Sequence, residues 1–301
     1  MKTDIYQKIT NQIVTALERG VRPWHQPWYA SHAEGRIIRP LRASGVPYNG
    51  INILMLWSAA IQHGYTAPIW MTFRQSAELG AHVRKGESGT LVVYADKMIR
   101  KDLDKETGEE AERAIPFMKG YTVFNVEQIE GLPDHYYGKP PQPVEAVQRI
   151  SRADAFFAAT GVSIIHGGNR ACYVPATDTI HMPRIEFFED AISYYATLAH
   201  ECTHWTRHEK RLNRDFGRKR FGDEWYAMEE LVAELGAAFL CADLELTPEV
   251  RDDHAAYIAS WIKVLKNDRR AIFTAASHAQ RAADLLTGLQ SCAEAQAEAA
   301  E

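Results

Sequence analysis

Ala191 to Trp205 reads AISYYATLAHECTHW, and inside it His200-Glu201-Cys202-Thr203-His204 spells H-E-x-x-H. On a helix, positions i and i+4 lie one above the other, so both imidazoles face one point in space. One metal ion can bridge them there. Glu201 follows the first histidine by one residue and is placed to lean over a metal-bound water instead of ligating. Two His ligands, a third protein ligand, an open position for water and a carboxylate base are the parts of a zinc hydrolase. Asp190 is suited to N-cap this helix, and Ile192, Tyr195, Ala196 and Ala199 recur at helical spacing. A core helix with two incidental histidines is the plainer reading.

Working outward, Ala171–Pro175 and Thr179–Pro183 flank a turn and read as a hairpin, after a strand over Val162–His166 and a helix over Val144–Thr160. An edge strand before an H-E-x-x-H helix gives a peptidase a place to pair with an extended peptide. Downstream, Asp223–Cys241 reads as a second helix holding Glu229, Glu230 and Glu234. Glu230 and Glu234 share a face with the small residues Ala237 and Cys241, while Glu229 is rotated away by about 100°. Glu230 is therefore the expected third ligand and Glu234 the expected partner of a metal-binding histidine. His208 is an alternative ligand but lies at the end of the same helix. The basic run Thr206–Arg220 between the two helices reads as a solvated loop. The tail helices over Pro248–Leu289 read as packing, and Ser291–Glu301 as a frayed end.

The N-terminal half has a different character. Residues 1–101 hold 13 Lys/Arg against 6 Asp/Glu, and residues 102–301 hold 21 against 33. A basic first part on an acidic remainder suggests an anionic partner for the first part alone. Ile5, Ile9, Ile13 and Leu17 mark an amphipathic helix closed by Gly20, and Ile51–His63 a second one closed by Gly64. Strands are expected at Pro68–Phe73, Thr90–Tyr94 and Met118–Asn125, and a short helix at Arg74–Leu79 capped by Thr72. Residues 102–112, DLDKETGEEAE, read as a solvated hairpin loop. Arg22, Trp24, Trp28, Arg36, Arg39, Arg42, Arg84 and Lys85 fall at loop positions. Charge for phosphates and rings for bases suit single-stranded DNA better than the major groove, because no helix here is continuously basic. For Trp24 and Trp28, packing a loop onto the core is the competing role.

With 46% hydrophobic and 24% charged residues the chain is of ordinary globular composition. It shows no membrane-length apolar run and no signal-peptide pattern. Four scattered cysteines without C-x-x-C suit reduced thiols in the cytoplasm, with Cys202 and Cys241 as packing residues. The proline-rich stretch PDHYYGKPPQP ends at Pro143. It divides an N-terminal domain (1–133), a linker (134–143) and a C-terminal domain (144–301).

The segments DIYQKITNQIVTALERGVRPWHQPW, YNGINILMLW, GYTAPIWMTFRQSAELGAHVRKGE and YTVFNVEQIEGLP resemble the N-terminal domain of ArdC-type antirestriction proteins, a domain also fused to some plasmid primases. ACYVPATDTIHMP, HECTHWT and EELVAELGAAF resemble the zincin-like, gluzincin-like metallopeptidase domain that follows it. The resemblance implies an α+β chain: a basic N-terminal single-strand DNA-binding domain, then a small sheet with the H-E-x-x-H helix. It implies a plasmid-borne cytoplasmic protein that protects incoming conjugative DNA from host restriction. It also implies His200 and His204 as ligands of Zn²⁺ or another divalent ion such as Mn²⁺, and Glu201 as the catalytic carboxylate. The third ligand then comes from the helix of Glu230 and Glu234, with Glu229 still open. The rival readings are a metallopeptidase cleaving a host protein, with the basic domain as a DNA localiser, and a binding module whose metal is structural.

Overall fold

The computed structural model describes residues 4–24, 39–103, 110–137, 146–188, 190–216, 224–246 and 255–298. The described chain is α+β and divides into two compact units. No described helix is long and apolar enough to cross a membrane.

The larger unit holds residues 1–40, 47–68 and 139–301. Its helices are α1 (Ile5–Glu18), α2 (Ile51–His63), α4 (Ala146–Ala159), α5 (Ala191–Trp205), α6 (Glu224–Asp243), α7 (Ala255–Asn267) and α8 (Ala271–Glu298). Its sheet has the order β7 (Ser163–His166), β9 (Thr179–Met182), β8 (Cys172–Val174). The hairpin β8–β9 is antiparallel as expected, and β7 joins β9 in parallel, which leaves β8 an edge strand. Helix α6 is the hub, packed by α5, α7 and α8. Its Leu231, Leu235, Phe239 and Leu240 are fully buried. Each such side chain contributes roughly 1.5–3 kcal/mol by leaving water.

The compact units do not follow the boundary expected at residues 133–144. Helices α1 and α2 pack on α7 and α8. Ile9, Ile13 and Leu17 of α1 and Ile53, Leu54 and Leu56 of α2 are buried. The Thr10 hydroxyl donates to the Arg269 carbonyl at 2.8 Å, and the Gly50 amide to Gln280 Oε1 at 3.1 Å. An apolar helix face demands a partner but does not name one, so compact units need not follow divisions along the sequence. The expected linker lies partly outside the described residues. Helix α8 also runs on through Glu298, past the fraying expected from Ser291.

The smaller unit holds residues 41–46 and 69–138. Its main sheet has the order β1 (Leu41–Arg42), β2 (Ile69–Met71), β5 (Glu110–Asn125), β4 (Thr90–Leu103), and β3 (His82–Val83) pairs with β6 (Ile129–Glu130). Helix α3 (Phe73–Glu78) starts where the sequence placed it: Thr72 accepts the Gln75 amide and the Gln75 side chain reaches back to the Thr72 amide. Strands β4 and β5 run well into the acidic stretch read as a loop, pairing as far as Leu103↔Glu110.

Candidate metal centre

Helix α5 opens on Asp190, whose side chain accepts the Ser193 amide at 2.6 Å, so the N-cap holds as expected. Ten residues on, His200 and His204 lie one turn apart, edge to face, with ring centroids 4.8 Å apart. Facing them, α6 presents Glu230. His200, His204 and Glu230 offer ligand atoms that all lie within 4.8 Å of one another. The Nε2 atoms of His200 and His204 stand 3.5 and 3.6 Å from the Glu230 carboxylate. A tetrahedral ion with bonds of about 2.0–2.1 Å spaces its ligand atoms about 3.3–3.4 Å apart. Two imidazoles and one carboxylate, so spaced, fit a divalent metal.

The same helix supports both histidines from behind. His204 Nδ1 lies 3.0 Å from Glu229 Oε1, and His200 Nδ1 lies 3.7 Å from Glu234 Oε1. His204 thus has the Glu229 carboxylate on the nitrogen turned away from the ligand point, which selects the tautomer that bonds through Nε2. Glu234 faces the corresponding nitrogen of His200 at ion-pair distance. Glu229, set aside as rotated away, is inside: it is 5% exposed. Side chains on a closely packed helix reach across more than the face a wheel allots them, and α5 runs close enough for Glu229 to reach His204.

That closeness has a local cause. A Cβ on Gly236 would stand 2.5 Å from Thr203 Cγ2 and 2.6 Å from its hydroxyl. Thr203 is fully buried, and its hydroxyl donates to the Ala199 carbonyl at 2.8 Å. The approach expected at Ala237 and Cys241 is therefore made at Gly236.

Sequence reasoning also missed Arg214. It lies in the segment read as a solvated loop, yet it is 4% exposed. Its guanidinium bonds both oxygens of Glu229 at 2.8 Å, the Thr203 carbonyl at 2.9 Å and the Thr206 hydroxyl at 3.1 Å. Burial alone would raise the Glu229 carboxyl, but the bonds from Arg214 and His204 outweigh it and hold it at about 2. Burial likewise opposes and the two histidines override at Glu230, which is held well below the carboxylate range. Burial would lower His204; its bonds to Glu229 and Glu230 raise it to about 10. Burial drives Cys202 far up and pushes Cys241 up to about 12, as packing thiols.

Glu201 is 7% exposed, and its Oε2 accepts the Tyr173 amide of edge strand β8 at 2.8 Å. The Tyr173 phenol bonds Asp178 at 2.9 Å, and Arg211 pairs with Asp178 while stacking 3.7 Å over the Trp205 ring. This brace ties the β8–β9 turn to the end of α5. His208 sits in the turn beyond α5 and bonds the Lys210 amide, outside the ligand group.

The residues chosen for DNA divide sharply. Trp24 is 2% exposed and packs edge-on against Trp261 at 5.8 Å, and Arg22 is buried. Arg39 is half-buried; it pairs with Asp243 at 2.7 Å and lies 5.6 Å from the Phe239 ring centroid. Trp24 and Arg22 are interior groups and the Arg39 guanidinium is held by its ion pair: a ring or guanidinium already packed offers no face to a base. Arg42, Arg84 and Lys85 are exposed, with Arg84 paired to Glu87 at 2.7 Å. Trp28 and Arg36 lie outside the described residues.

Residues 3–124 match the model of the N-terminal domain of anti-restriction factor ArdC, and residues 151–278 that of a zincin-like metallopeptidase. The chain is 46% identical in sequence to the antirestriction protein ArdC of plasmid R388 in its metal-free crystal structure, over 96% of this chain and 98% of that one, with a TM-score of 0.79. The chain belongs to the ArdC antirestriction family. A Mn(II)-bound structure of the R388 protein superposes with a TM-score of 0.76 at 45% identity, over 95% of this chain and 98% of that one. Protein y4eC of Sinorhizobium fredii is 47% identical over 97% of this chain and 94% of its own length. A DNA primase TraC of Escherichia coli is 35% identical over 96% of this chain, which spans only 28% of the primase. Membership brings with it a zincin-like domain that carries the group His200, His204 and Glu230.

Proposed function

We propose that this protein is an antirestriction factor of the cytoplasm that binds single-stranded DNA and shields incoming conjugative plasmid DNA from host restriction enzymes. Its second part carries a working metallopeptidase site. The observation that carries this reading is the tandem match to both family domains, with the ligand cluster intact at His200, His204 and Glu230. The basic bias of the first 101 residues supports an anionic partner.

Zn²⁺ is the proposed ion, with Mn²⁺ as the alternative, since a nitrogen-rich site with one carboxylate accepts either. When bound, it supplies Lewis acidity toward a water and a carbonyl. The chain's own residues do the rest. Glu229 keeps the His204 imidazole in the ligating tautomer, and Glu234 faces His200 Nδ1 at ion-pair distance. The Tyr173 amide orients Glu201, whose carboxylate takes a proton from the attacking water and returns it to the leaving amine.

A second reading, cleavage of a host protein with DNA binding as a localiser, is favoured by Glu201 itself, because a structural metal site needs no general base. The test is transfer of unmodified plasmid DNA into a restricting host, with Glu201→Ala beside the unaltered protein. Loss of protection with retained metal makes proteolysis part of the function. Full protection by Glu201→Ala removes peptidase action from it, and no protection by the unaltered chain removes the antirestriction reading.

A further inference from the structure

The β4–β5 hairpin is longer than its sheet. Strand β2 pairs with β5 only at Asn125 and Phe124. From Val93↔Gly120 to Leu103↔Glu110 the two strands pair with each other, and among the described residues no other strand joins them. Tyr94 is 51% exposed, and Ala95, Asp96, Lys119 and Gly120 are exposed as well. A two-stranded ribbon is marginal in water by itself. The length of this one calls for a partner.

One face of the ribbon is chemically particular. The register sets Tyr94 opposite Lys119, Asp96 opposite Phe117, Met98 opposite Ile115 and Arg100 opposite Arg113, all at alternate positions and hence on one face. The Tyr94 and Phe117 rings lie 6.1 Å apart, with Lys119 Nζ 5.4 Å from the Phe117 centroid. Arg100 and Arg113 stand at directly opposed register positions. At this face's register positions stand Lys119, Arg100 and Arg113 against the single acid Asp96, which accepts the Tyr94 hydroxyl. Residues 102–112 carry six acids against one lysine, so the basic charge of the hairpin is confined to its stem. Between Tyr94 and Arg100 the face runs about 20 Å at the usual rise of a strand.

We infer that this face of the β4–β5 ribbon, with Tyr94, Phe117, Lys119, Arg100 and Arg113, is the surface that binds single-stranded DNA. The inference rests on the single-strand reading above and relocates its contacts from Arg22, Trp24 and Arg39. Bases stack on Tyr94 and Phe117, whose rings call for π-faces that a duplex keeps stacked on its own bases, and phosphates lie along the lysine and arginines.

The test uses the full chain and a fluorescent oligothymidylate, with anisotropy read over a salt series. Arg100→Gln with Arg113→Gln is expected to weaken binding at least tenfold and to flatten the log affinity against log salt slope by about 1.4, at about 0.7 per phosphate. Tyr94→Ala is expected to weaken binding roughly 5- to 150-fold at fixed salt without changing that slope. Arg74→Gln, an exposed charge on α3, is expected to bind as the unaltered protein does. Ultraviolet crosslinking of the unaltered protein, with the peptides spanning residues 92–101 and 113–121 carrying the crosslink, checks the assignment without any variant. Ribbon variants that bind normally, with crosslinks elsewhere, overturn the inference and leave the single-strand reading standing. An Arg74→Gln loss equal to the ribbon's overturns it as a nonspecific charge effect. Equal affinity for a duplex of the same length overturns the stacking argument. Failure of the unaltered protein to bind at all overturns the inference and the single-strand reading together.

Discussion

Replacing Arg214 by methionine removes a guanidinium with 1% side-chain exposure and strands the charge it holds. Its four hydrogen bonds go to Glu229, the Thr203 carbonyl and the Thr206 hydroxyl. Methionine matches much of the volume, so the loss is electrostatic and not a cavity. Removing one partner of a buried ion pair costs about 3–5 kcal/mol, against a total stability of about 5–15 kcal/mol for a domain. The Glu229 carboxyl, held at about 2, loses its strongest counterweight to burial and rises. The sign of the pH dependence follows. A depressed carboxyl contributes stability that is present above its ordinary value of 4.5 and lost as pH falls toward 2. The unaltered protein therefore loses stability steeply over that window, and Arg214→Met is already low at pH 7 and much flatter below it. Because Glu229 orients His204, metal affinity falls roughly 10- to 100-fold as well. Urea unfolding at pH 7 and pH 3, with metal affinity by chelator competition, reads all three effects. Adding Glu229→Gln to Arg214→Met recovers part of the stability, since the stranded charge is gone. A stability loss below about 1 kcal/mol with unchanged metal affinity would falsify the claim that the Arg214–Glu229 pair braces the site.

Gly236→Ala drives a Cβ to 2.5 Å from Thr203, so α6 must back away from α5 or strain must build. The expected cost is about 1–3 kcal/mol with weakened metal binding, and thermal unfolding with metal stoichiometry checks it; adding Thr203→Ala restores part of both. Metal uptake is expected to release protons at pH 7, because His204 is raised to about 10 by its carboxylates, His200 is raised as well, and a ligating imidazole must be neutral. Calorimetry in buffers of different ionisation enthalpy measures this, and an affinity that does not rise between pH 7 and 9 contradicts it. Trp24→Ala is expected to cost about 3–5 kcal/mol through the cavity beside Trp261, while the folded protein binds single-stranded DNA as before. A fall in DNA affinity without a fall in stability restores Trp24 to the surface role.

The chemistry of the centre was legible in the chain because it is local. H-E-x-x-H works through the i, i+4 geometry of one helix, and that geometry holds wherever the helix packs. Asp190, Thr72 and Gly64 punctuate their helices by the same short-range rules, and α2 and α5 begin and end where those rules place them. Glu230's place beside the two histidines agrees with the helix face assigned to it, although the close approach that brings it there is made at Gly236 and not at Ala237 and Cys241. Tertiary structure alone decided the rest. Whether Glu229 faces solvent or His204 depends on the gap between α5 and α6, which Gly236 sets against Thr203. Whether Arg214 belongs to a loop or to the interior depends on a carboxylate fifteen residues away in sequence. Whether α1 and α2 serve the N-terminal or the C-terminal part depends on which apolar surface covers them, and Trp24 is buried for the same reason. Hydrophobic and ionic partners attract by what they are and not by where they stand in sequence, so the chain announces the need for a partner and only the fold supplies it.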